Sequence, residues 1–333
     1  MFTGPYLAAG AAETVARING AVNDFVWGVP VLTLLIATGV LMTIVTRVFQ
    51  VTHLGHWMRE TIGSIFKKHV SGHTDDSGSI SQFQALCTAL AATVGVGNIA
   101  GVATAIVSGG PGSIFWMWLA AFVGMMTNYS ENVLGIYFRR RNARGEWSGG
   151  AMYYLQDGLG GYRGCKKLGS VLAVLFSIFA VLASFGIGNM SQVNTISSNM
   201  LSAFSIPTWV TGVALLALAG LVILGGLQRI ASVTEKIVPF MVVVYIVGAL
   251  VIIGVNFRQI GAAFGAIFSF AFGLRAVAGG AVGYAVKMAV TWGFKRGVFS
   301  NEAGLGSSVM VHSSSNVKEP VRQGMWGIFE VFA

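Results

Sequence analysis

The residues best suited to chemistry lie where polar groups and glycines interrupt apolar segments of the chain. The first such place runs from Thr93 to Gly101 and contains Gly95, Gly97 and Asn98. Two glycines with an amide inside an apolar segment favour an unwound helix whose free N–H and C=O groups point at a ligand. A single glycine would instead favour close helix packing. The glycine spacing partly matches a dinucleotide-binding motif, but that motif needs a preceding strand and a βαβ unit, which this sequence does not predict.

The second such place is residues 300–308, where Asn301 and Glu302 precede two further glycines. An ionisable side chain is costly in lipid, so Glu302 should face a cavity or a partner. Alternatively, Glu302 lies at a membrane boundary, close to Lys295 and Arg296. Two glycine-interrupted helices, one early and one late in the chain, are typical of an inverted-repeat transporter.

Three other groups of polar residues have structural interpretations. Between residues 189 and 199, Gln192, Thr195 and Asn199 fall on one helical face, which either bridges helices or lines a pathway. Glu131 is expected to pair with the nearby Arg139 to Arg141 region. His312, like the four histidines between residues 53 and 73, has no convincing set of metal-ligand partners and is read as an interfacial or loop residue.

The apolar segments around these groups identify a membrane protein. Charged residues make up 10% of the 333 residues and apolar types 54%, with a mean hydropathy of +0.72. A soluble surface cannot be built from so few charges. The two cysteines, Cys87 and Cys165, predict neither a disulfide framework nor a zinc site.

Uncharged stretches place the membrane spans. Residues 25–46, which are 22 residues without charge, suffice for one crossing of about 20 residues. The uncharged stretches 77–130 and 168–228 are too long for one crossing, so each must turn back. The turns are predicted around Pro111 and Pro207, where proline and neighbouring glycine or serine end a helix. Residues 237–257 predict one more single span, and the pattern becomes irregular after Arg258.

The distribution of lysine and arginine predicts the orientation. If the loop after the first span is cytoplasmic, 15 of the 21 basic residues lie inside, and Arg17, Arg258 and Arg275 lie outside. This asymmetry favours an external N-terminus. It also explains the net charge of +9 by loop cations, so no nucleic-acid partner is expected. The first 24 residues do not predict a cleaved signal peptide.

Several motifs run from about residue 80 to the end of the chain. The longest is GGPGSIFWMWL at 109–119. The others are FQAL at 83–86, GNIAGVA at 97–103, GGAMYY at 149–154, TEKIVP at 234–239 and KRGVFSNEAG at 295–304. Together they resemble the alanine/glycine:cation symporters, the sodium:alanine symporter family. Ser113 departs mildly from the family signature, which usually has a small apolar residue there.

The resemblance implies an all-α polytopic membrane protein with the leucine-transporter fold, in which two five-helix inverted repeats each begin with a broken helix. The chain is then a single membrane domain over 1–333, with an extra N-terminal helix at 25–48, a complete first repeat at 83–256 and the start of a second repeat at 280–333. Family members continue through several more helices, and the apolar run that opens at Met325 is too short to cross a bilayer. The second repeat is therefore expected to be incomplete and the chain to be truncated at its C-terminus.

The resemblance also implies a site at the first helix break. Main-chain N–H groups near Gly95 and Gly97 would hold an amino-acid carboxylate, and the carbonyls of Ala91 and Val94 would help to coordinate a co-transported sodium ion. The remaining sodium ligands in this fold come from the eighth helix, which would follow Ala333. The expected substrate-binding residues are Thr93, Gly95, Gly97, Asn98, Gln192, Asn301 and Glu302, with Glu302 or polar groups such as Asn98 and Gln192 near the substrate ammonium.

The leading hypothesis is sodium-coupled symport of alanine or glycine by a multi-pass protein in the lipid of a prokaryotic inner (plasma) membrane. The alternatives are proton-coupled symport, with Glu302 as the titrating group, and a non-transporting amino-acid sensor. An enzyme is not expected, because the spans contain no evident nucleophile and base pair and no metal set. The sequence leaves open alanine versus glycine, sodium versus proton, and the oligomeric state.

Overall fold

The computed structural model describes residues 4–65, 78–186, 189–273 and 280–333, and these are mostly helical. The prediction of an all-α protein is confirmed. One short antiparallel hairpin, β1 Arg140–Arg141 and β2 Trp147–Ser148, is also described. The helices of the N-terminal half are α1 Gly4–Val26, α2 Val29–Val45, α3 Phe49–Thr52, α4 Leu54–Glu60, α5 Gln82–Thr93, α6 Val96–Gly109, α7 Ser113–Tyr137 and α8 Ala151–Tyr153. Those that follow are α9 Lys166–Gly186, α10 Met190–Phe204, α11 Thr208–Ile223, α12 Gly226–Val255, α13 Ile260–Ala271, α14 Gly280–Asn301, α15 Ser308–His312 and α16 Pro320–Phe332.

Four of the described segments are long and apolar enough to cross a membrane: Glu13–Val45, Gln82–Gly109, Lys166–Phe204 and Gly226–Val255. Many large apolar side chains on α9, α11 and α12 point outward from the bundle, where they suit contact with lipid and not with water. The chain is therefore a multi-pass membrane protein, as its composition predicts.

Local sequence explains where the elements begin and end. Ser81 and Gln84 form a capping box at the start of α5. The Gln84 N–H donates to the Ser81 hydroxyl over 3.1 Å, and the Ser81 N–H donates to Gln84 Oε1 over 3.0 Å. The turn between α6 and α7 contains Gly110 at φ +76°, which a residue with a Cβ rarely adopts. Ser205 has a left-handed conformation at the end of α10, and Pro207 immediately precedes α11.

Helix α7 is the centre of the bundle, and α2, α14 and α16 pack on it through glycines. A Cβ on Gly39 of α2 would lie 2.8 Å from the carbonyl of Val123, and one on Gly297 of α14 would lie 2.7 Å from Ala120. On α16, Gly324 lies equally close to Val133. Small residues at each contact allow the helix backbones to approach closely, as in other membrane helix interfaces.

Two element boundaries differ from the sequence prediction. Helix α12 begins at Gly226 instead of near 237, so it continues through Glu235 and Lys236. The region after Arg258, which has an irregular pattern, contains the helix α13. In both places, charges or glycines interrupt the apolar pattern of the sequence, but the backbone remains helical.

Candidate functional site

The first helix break lies between α5 and α6, where the glycine motif predicts it. Helix α5 ends at Thr93 and α6 begins at Val96. The Gly95 N–H donates to the Thr93 carbonyl over 3.1 Å, and Asn98 Nδ2 donates to the same carbonyl over 2.7 Å. The Thr93 hydroxyl turns back to the carbonyl of Ala89. Asn98 therefore ties the start of α6 to the end of α5 across the unwound residues.

The carbonyl groups at this end of α5 differ in their bonding. The Leu90 carbonyl accepts the Val94 N–H over 2.8 Å, and the Thr93 carbonyl accepts the two bonds given above. Within the described parts of the chain, no hydrogen bond reaches the carbonyl oxygens of Ala91 or Val94. Oxygen atoms of this kind are the ligands that hard cations prefer. The two carbonyls predicted as sodium ligands thus have free acceptor capacity.

Two other helices cover the first break. From α10, Gln192 lies over Gly95, so that a Cβ on this glycine would be 3.5 Å from Gln192 Nε2. From the end of α14, Phe299 and Ser300 lie over Gly97, with the Phe299 ring 3.5 Å from the place of a Cβ. The structure therefore brings α6, α10 and α14 together around the glycines of the break.

The second break lies between α14 and α15, also where glycines predict it. Helix α14 ends at Asn301 and α15 begins at Ser308. Glu302 has a positive φ of 53°, an uncommon conformation for a residue with a side chain. Its carboxylate accepts a hydrogen bond from the Ser307 hydroxyl within the same loop. This hydrogen bond joins the two ends of the loop between α14 and α15.

Asn301 turns towards α7. Its Oδ1 accepts the Ala303 N–H over 3.1 Å, while Nδ2 is buried with no hydrogen-bond partner among the described residues. That nitrogen lies 3.1 Å from the place of a Cβ on Gly124. The recorded contacts of Asn301 and Glu302 are therefore with α7 and their own loop, whereas Gly95, Gly97, Asn98 and Gln192 gather at the first break.

Glu131 on α7 is a residue whose role the sequence interpretation missed. Its carboxylate accepts the Gly304 N–H over 3.1 Å. The expected pairing of Glu131 with the arginines after α7 is wrong, because Arg139 donates instead to main-chain carbonyls. These belong to Ser313, Ser315 and Val317. An ionisable residue deep in an apolar helix was the available signal for a functional role.

His312 is fully buried, and its interpretation as an interfacial or loop residue is wrong. Its Nε2 lies 3.0 Å from Glu330 Oε2, and its Nδ1 contacts the Gln323 amide. Asn128 Nδ2 donates to the same Glu330 oxygen over 2.9 Å, and Asn128 Oδ1 accepts from Ser308. Side chains from α7, α15 and α16 thus form one buried polar network. Of the four other histidines, His69 and His73 lie outside the described residues.

A cavity of about 390 Å³ lies away from both breaks. It is bordered by the residues before α5, the β1–β2 hairpin region and the start of α12, and it includes Met310 and Ser314. Since none of the residues at either break lines it, this cavity is not the candidate site.

The model of one protein family, described as the sodium:alanine symporter family, matches residues 12–333. The sodium/alanine symporter AgcS of Methanococcus maripaludis is 46% identical over 315 residues, which are 94% of this chain and 66% of that protein. The probable sodium/glutamine symporter GlnT of Bacillus subtilis is 35% identical over 96% of this chain and 63% of its own length. The sodium/proton-dependent alanine carrier protein of Bacillus sp. (strain PS3) is 37% identical over 78% of this chain and 55% of its own length.

The chain spans less than two thirds of the length of these three relatives. The family match extends to residue 333, and the prediction of a C-terminal truncation is not borne out by it. Transporter relatives agree with the expectation that the protein is not an enzyme.

Proposed function

The chain belongs to the sodium:alanine symporter family, and on this basis we propose that it forms part of a sodium-coupled symporter for a small neutral amino acid, with alanine as the leading substrate. Glycine is the second candidate. The relatives whose names specify alanine support the first choice, and the one named for glutamine makes substrate size the feature to test. Sodium would be the co-transported ion, and lipid would surround the spans.

One observation carries this proposal: both ligand types that a zwitterion and a cation need occur at the first break. The N-terminus of α6 carries partial positive charge and N–H groups without partners inside the helix, which suits a carboxylate. Just before α6 along the chain, the carbonyls of Ala91 and Val94 can accept a sodium ion. The break thus offers an anion site and a cation site side by side.

The hydrogen bonds at the break suggest how the substrate binds. The Gly95 N–H, now bonded to Thr93, would turn to the substrate carboxylate together with the Gly97 N–H. Thr93 would keep the bond from Asn98, so its carbonyl would not become unsatisfied. Gln192 would face the ammonium group from α10. Asn301 and Glu302 would act by shaping the second break, since Asn301 contacts α7 and its own loop, and Glu302 contacts Ser307 within that loop.

The packing around the break favours a small side chain. Phe299 and Ser300 approach Gly97, and Gln192 approaches Gly95, to within van der Waals contact of an added carbon. A substrate with a methyl group or a hydrogen needs little room in this space. A longer side chain would have to displace Phe299 or Gln192.

We place the N-terminus outside the cell on the basis of the loop cations, and we assign the helices to repeats as the sequence predicts. In this assignment α2 is the extra N-terminal helix within 25–48. Residues 83–256 form the first repeat of the leucine-transporter fold, and residues 280–333 begin the second. The two broken helices, α5–α6 and α14–α15, occupy the first position of each repeat, which supports the assignment.

The test is uptake of labelled alanine by proteoliposomes that contain the full protein, with and without an inward sodium gradient. We expect accumulation only with sodium, and competition by glycine more than by glutamine. Uptake driven by a pH gradient in the absence of sodium would favour proton coupling. Alanine binding without uptake would favour a sensor, and no binding would contradict the proposal.

A matched pair of glycine variants tests the location of the site. Gly97→Ala adds a carbon at ordinary contact distance from Phe299, so the fold should tolerate it while the substrate space shrinks. Gly212→Ala, on α11, adds the same carbon where no atom lies within 4 Å. We expect alanine uptake to fall in the first variant only. Equal uptake by both variants would contradict the location of the substrate site at the first break.

A further inference from the structure

The buried network around His312 has properties that the proposed substrate site does not use. The side chains of His312 and Glu330 are both 0% exposed, and their Nε2 and Oε2 atoms are 3.0 Å apart. Glu330 Oε1 has no hydrogen-bond partner among the described residues, nor has either side-chain atom of Asn132, which is also buried on α7. A buried carboxylate needs a charged partner, and a neutral imidazole does not supply one.

The Gln323 amide allows the imidazole to hold either one proton or two. As oriented in the structure, Gln323 Nε2 donates to His312 Nδ1 and Gln323 Oε1 accepts from the Ser315 hydroxyl. In this state the ring carries its proton on Nε2, facing Glu330. Rotation of the amide by half a turn would place its oxygen against Nδ1–H and its nitrogen against the Ser315 hydroxyl, which can also accept. Both protonation states therefore keep these hydrogen bonds.

Other charged groups lie near this network. The carboxylates of Glu131 and Glu302 accept hydrogen bonds from the loop between α14 and α15, and Glu330 is linked to the end of that loop through Asn128 and Ser308, so three carboxylates lie at or near the second break. Arg139 approaches through the carbonyls of Ser313 and Ser315 on the other side. Helix α5 carries no charged residue, and its Cys87 packs on Trp326. Among the described residues, Arg59 pairs with Glu60 on α4, and Arg322 pairs with Glu319 at the start of α16. Helix α12, which contributes Val238 to the cluster around Trp326, carries Arg229, Glu235 and Lys236, and the packed helices α4 and α7 also carry the titratable side chains of His56 and Tyr129.

We propose that the His312–Glu330 pair is a proton-binding site, in which a proton from water binds at His312 Nδ1 and forms an imidazolium beside the Glu330 carboxylate. One negative charge near the second break is then neutralised. The proton is taken from solvent and returned to it, and Gln323 turns its amide with each exchange.

The network connects this proton to the second helix break. Glu330 is bonded to Asn128, and Asn128 is bonded to Ser308, the first residue of α15. The loop just before Ser308 is held by Glu131 and Glu302, whose carboxylates accept the Gly304 N–H and the Ser307 hydroxyl. Proton binding therefore changes the charge that acts on the loop between α14 and α15. The effect of the proton on transport rests on the proposed function, whereas its binding does not.

The first test compares uptake at fixed sodium gradient in proteoliposomes of the full protein at a series of pH values between about 5 and 8. We expect uptake by the parent to change about threefold or more over this range, and uptake by His312→Gln to become nearly constant. Uptake by Glu330→Gln should also become nearly constant with pH, because this change removes the partner of the imidazolium. Gln323→Glu provides a fixed acceptor for Nδ1–H, so at the higher pH it should retain the low-pH rate.

Controls are available on the surface of the same chain. His56→Gln removes an exposed histidine and Glu319→Gln an exposed carboxylate, and both should keep the pH profile of the parent. The proposal is overturned if His312→Gln also keeps that profile. It is equally overturned if only Glu302→Gln abolishes the profile, since the titrating group would then be Glu302.

A second measurement does not depend on transport. A group that binds protons differently in the folded and unfolded states makes stability depend on pH. The melting temperature of the detergent-purified protein should therefore change with pH in the parent and in both surface controls. Part of that change should disappear in His312→Gln. Absence of sodium-dependent uptake in every variant would contradict the proposed function alone. Identical pH dependence of melting in the parent and in His312→Gln would contradict the proton site.

Discussion

Asn98 holds the first helix break together through a single side-chain bond. Its amide donates to the Thr93 carbonyl over 2.7 Å, across the unwound residues. We predict that Asn98→Ala reduces alanine uptake while membrane insertion stays near normal. Loss of one net hydrogen bond costs about 1 kcal/mol, which corresponds to about a fivefold change in the population of the binding-competent break. The measurement is initial uptake rate, normalised to inserted protein.

Asn256 provides the matched control for this variant. Its amide also donates to a helix carbonyl, that of Ile252 over 2.9 Å, but it is exposed at the end of α12 and far along the chain from either break. Asn256→Ala should leave uptake unchanged. If both variants lose uptake equally, a general loss of helix stability explains the result and the break has no special part in it.

Glu131 has a comparable role at the second break, where its carboxylate accepts the Gly304 N–H. We predict that Glu131→Gln lowers the melting temperature, because a neutral amide accepts more weakly and turns donors towards the main-chain N–H groups. Hydrogen bonds to charged groups contribute about 1.5 to 3 kcal/mol each. Thermal unfolding in detergent measures the loss, and the exposed Glu319→Gln is the control. An unchanged melting temperature would show that Glu131 does not support the loop.

The sequence could identify the two breaks but not how they are arranged. Gly95, Gly97 and Asn98 act within one segment, so their spacing carries the signal. Asn301 meets α7, and Glu131 meets the loop after α14, across more than 170 residues of chain, and no local pattern specifies which polar groups meet. The burial of His312 escapes sequence-based prediction for the same reason, since Glu330 becomes its neighbour only when α16 packs beside α15.

At the scale of elements, the hairpin after α7 is fastened to the chain after α15. Arg139 donates to the carbonyls of Ser313, Ser315 and Val317, and its guanidinium stacks on Trp147 of the hairpin. In return, the Ser314 hydroxyl donates to the Trp147 carbonyl. This connection holds the distal end of the second broken helix against the end of α7.

We predict that Arg139→Lys destabilises this connection. A lysine ammonium lacks the planar fork that reaches several carbonyls at once, so at least one acceptor loses its donor. The expected cost is about 1 to 3 kcal/mol, and it should appear as a lower melting temperature in detergent. Arg322→Lys, in an exposed pair with Glu319, is the matched control and should melt with the parent. The prediction fails if the two variants melt alike.

Helices were easier to predict than their limits. Proline and glycine turns around Pro111 and Pro207 act locally, and the structure ends α6 and α10 close to them. By contrast, Glu235 and Lys236 suggested a helix start near 237, yet α12 runs through them from Gly226. Main-chain hydrogen bonds continue along a helix whether its side chains meet lipid or water, so charge marks the membrane boundary and not the helix end.

At the scale of the whole molecule, the ends of α12 should lie on opposite sides of the membrane. This helix has 30 residues, from Gly226 to Val255. At about 1.5 Å per residue it is about 45 Å long, which matches the thickness of a bilayer with its headgroups. The predicted inside residue Arg229 lies near one end, and the predicted outside residue Arg258 follows the other. Loop charge and helix length thus both predict that Arg229 and Arg258 lie on opposite sides of the membrane. Only the loop charge predicts which side is the cytoplasm.

Cysteine labelling tests this orientation. In a Cys165→Ser background, Arg258→Cys and Lys167→Cys each place a thiol at an exposed position, while the remaining Cys87 is buried. We predict that a membrane-impermeant maleimide labels Arg258→Cys in intact cells and labels Lys167→Cys only after permeabilisation, since the cations around Lys167 belong to the cytoplasmic side. The reverse pattern would place the N-terminus inside. Labelling of both in intact cells would contradict a membrane crossing between them, and with it the spans assigned to α9–α12.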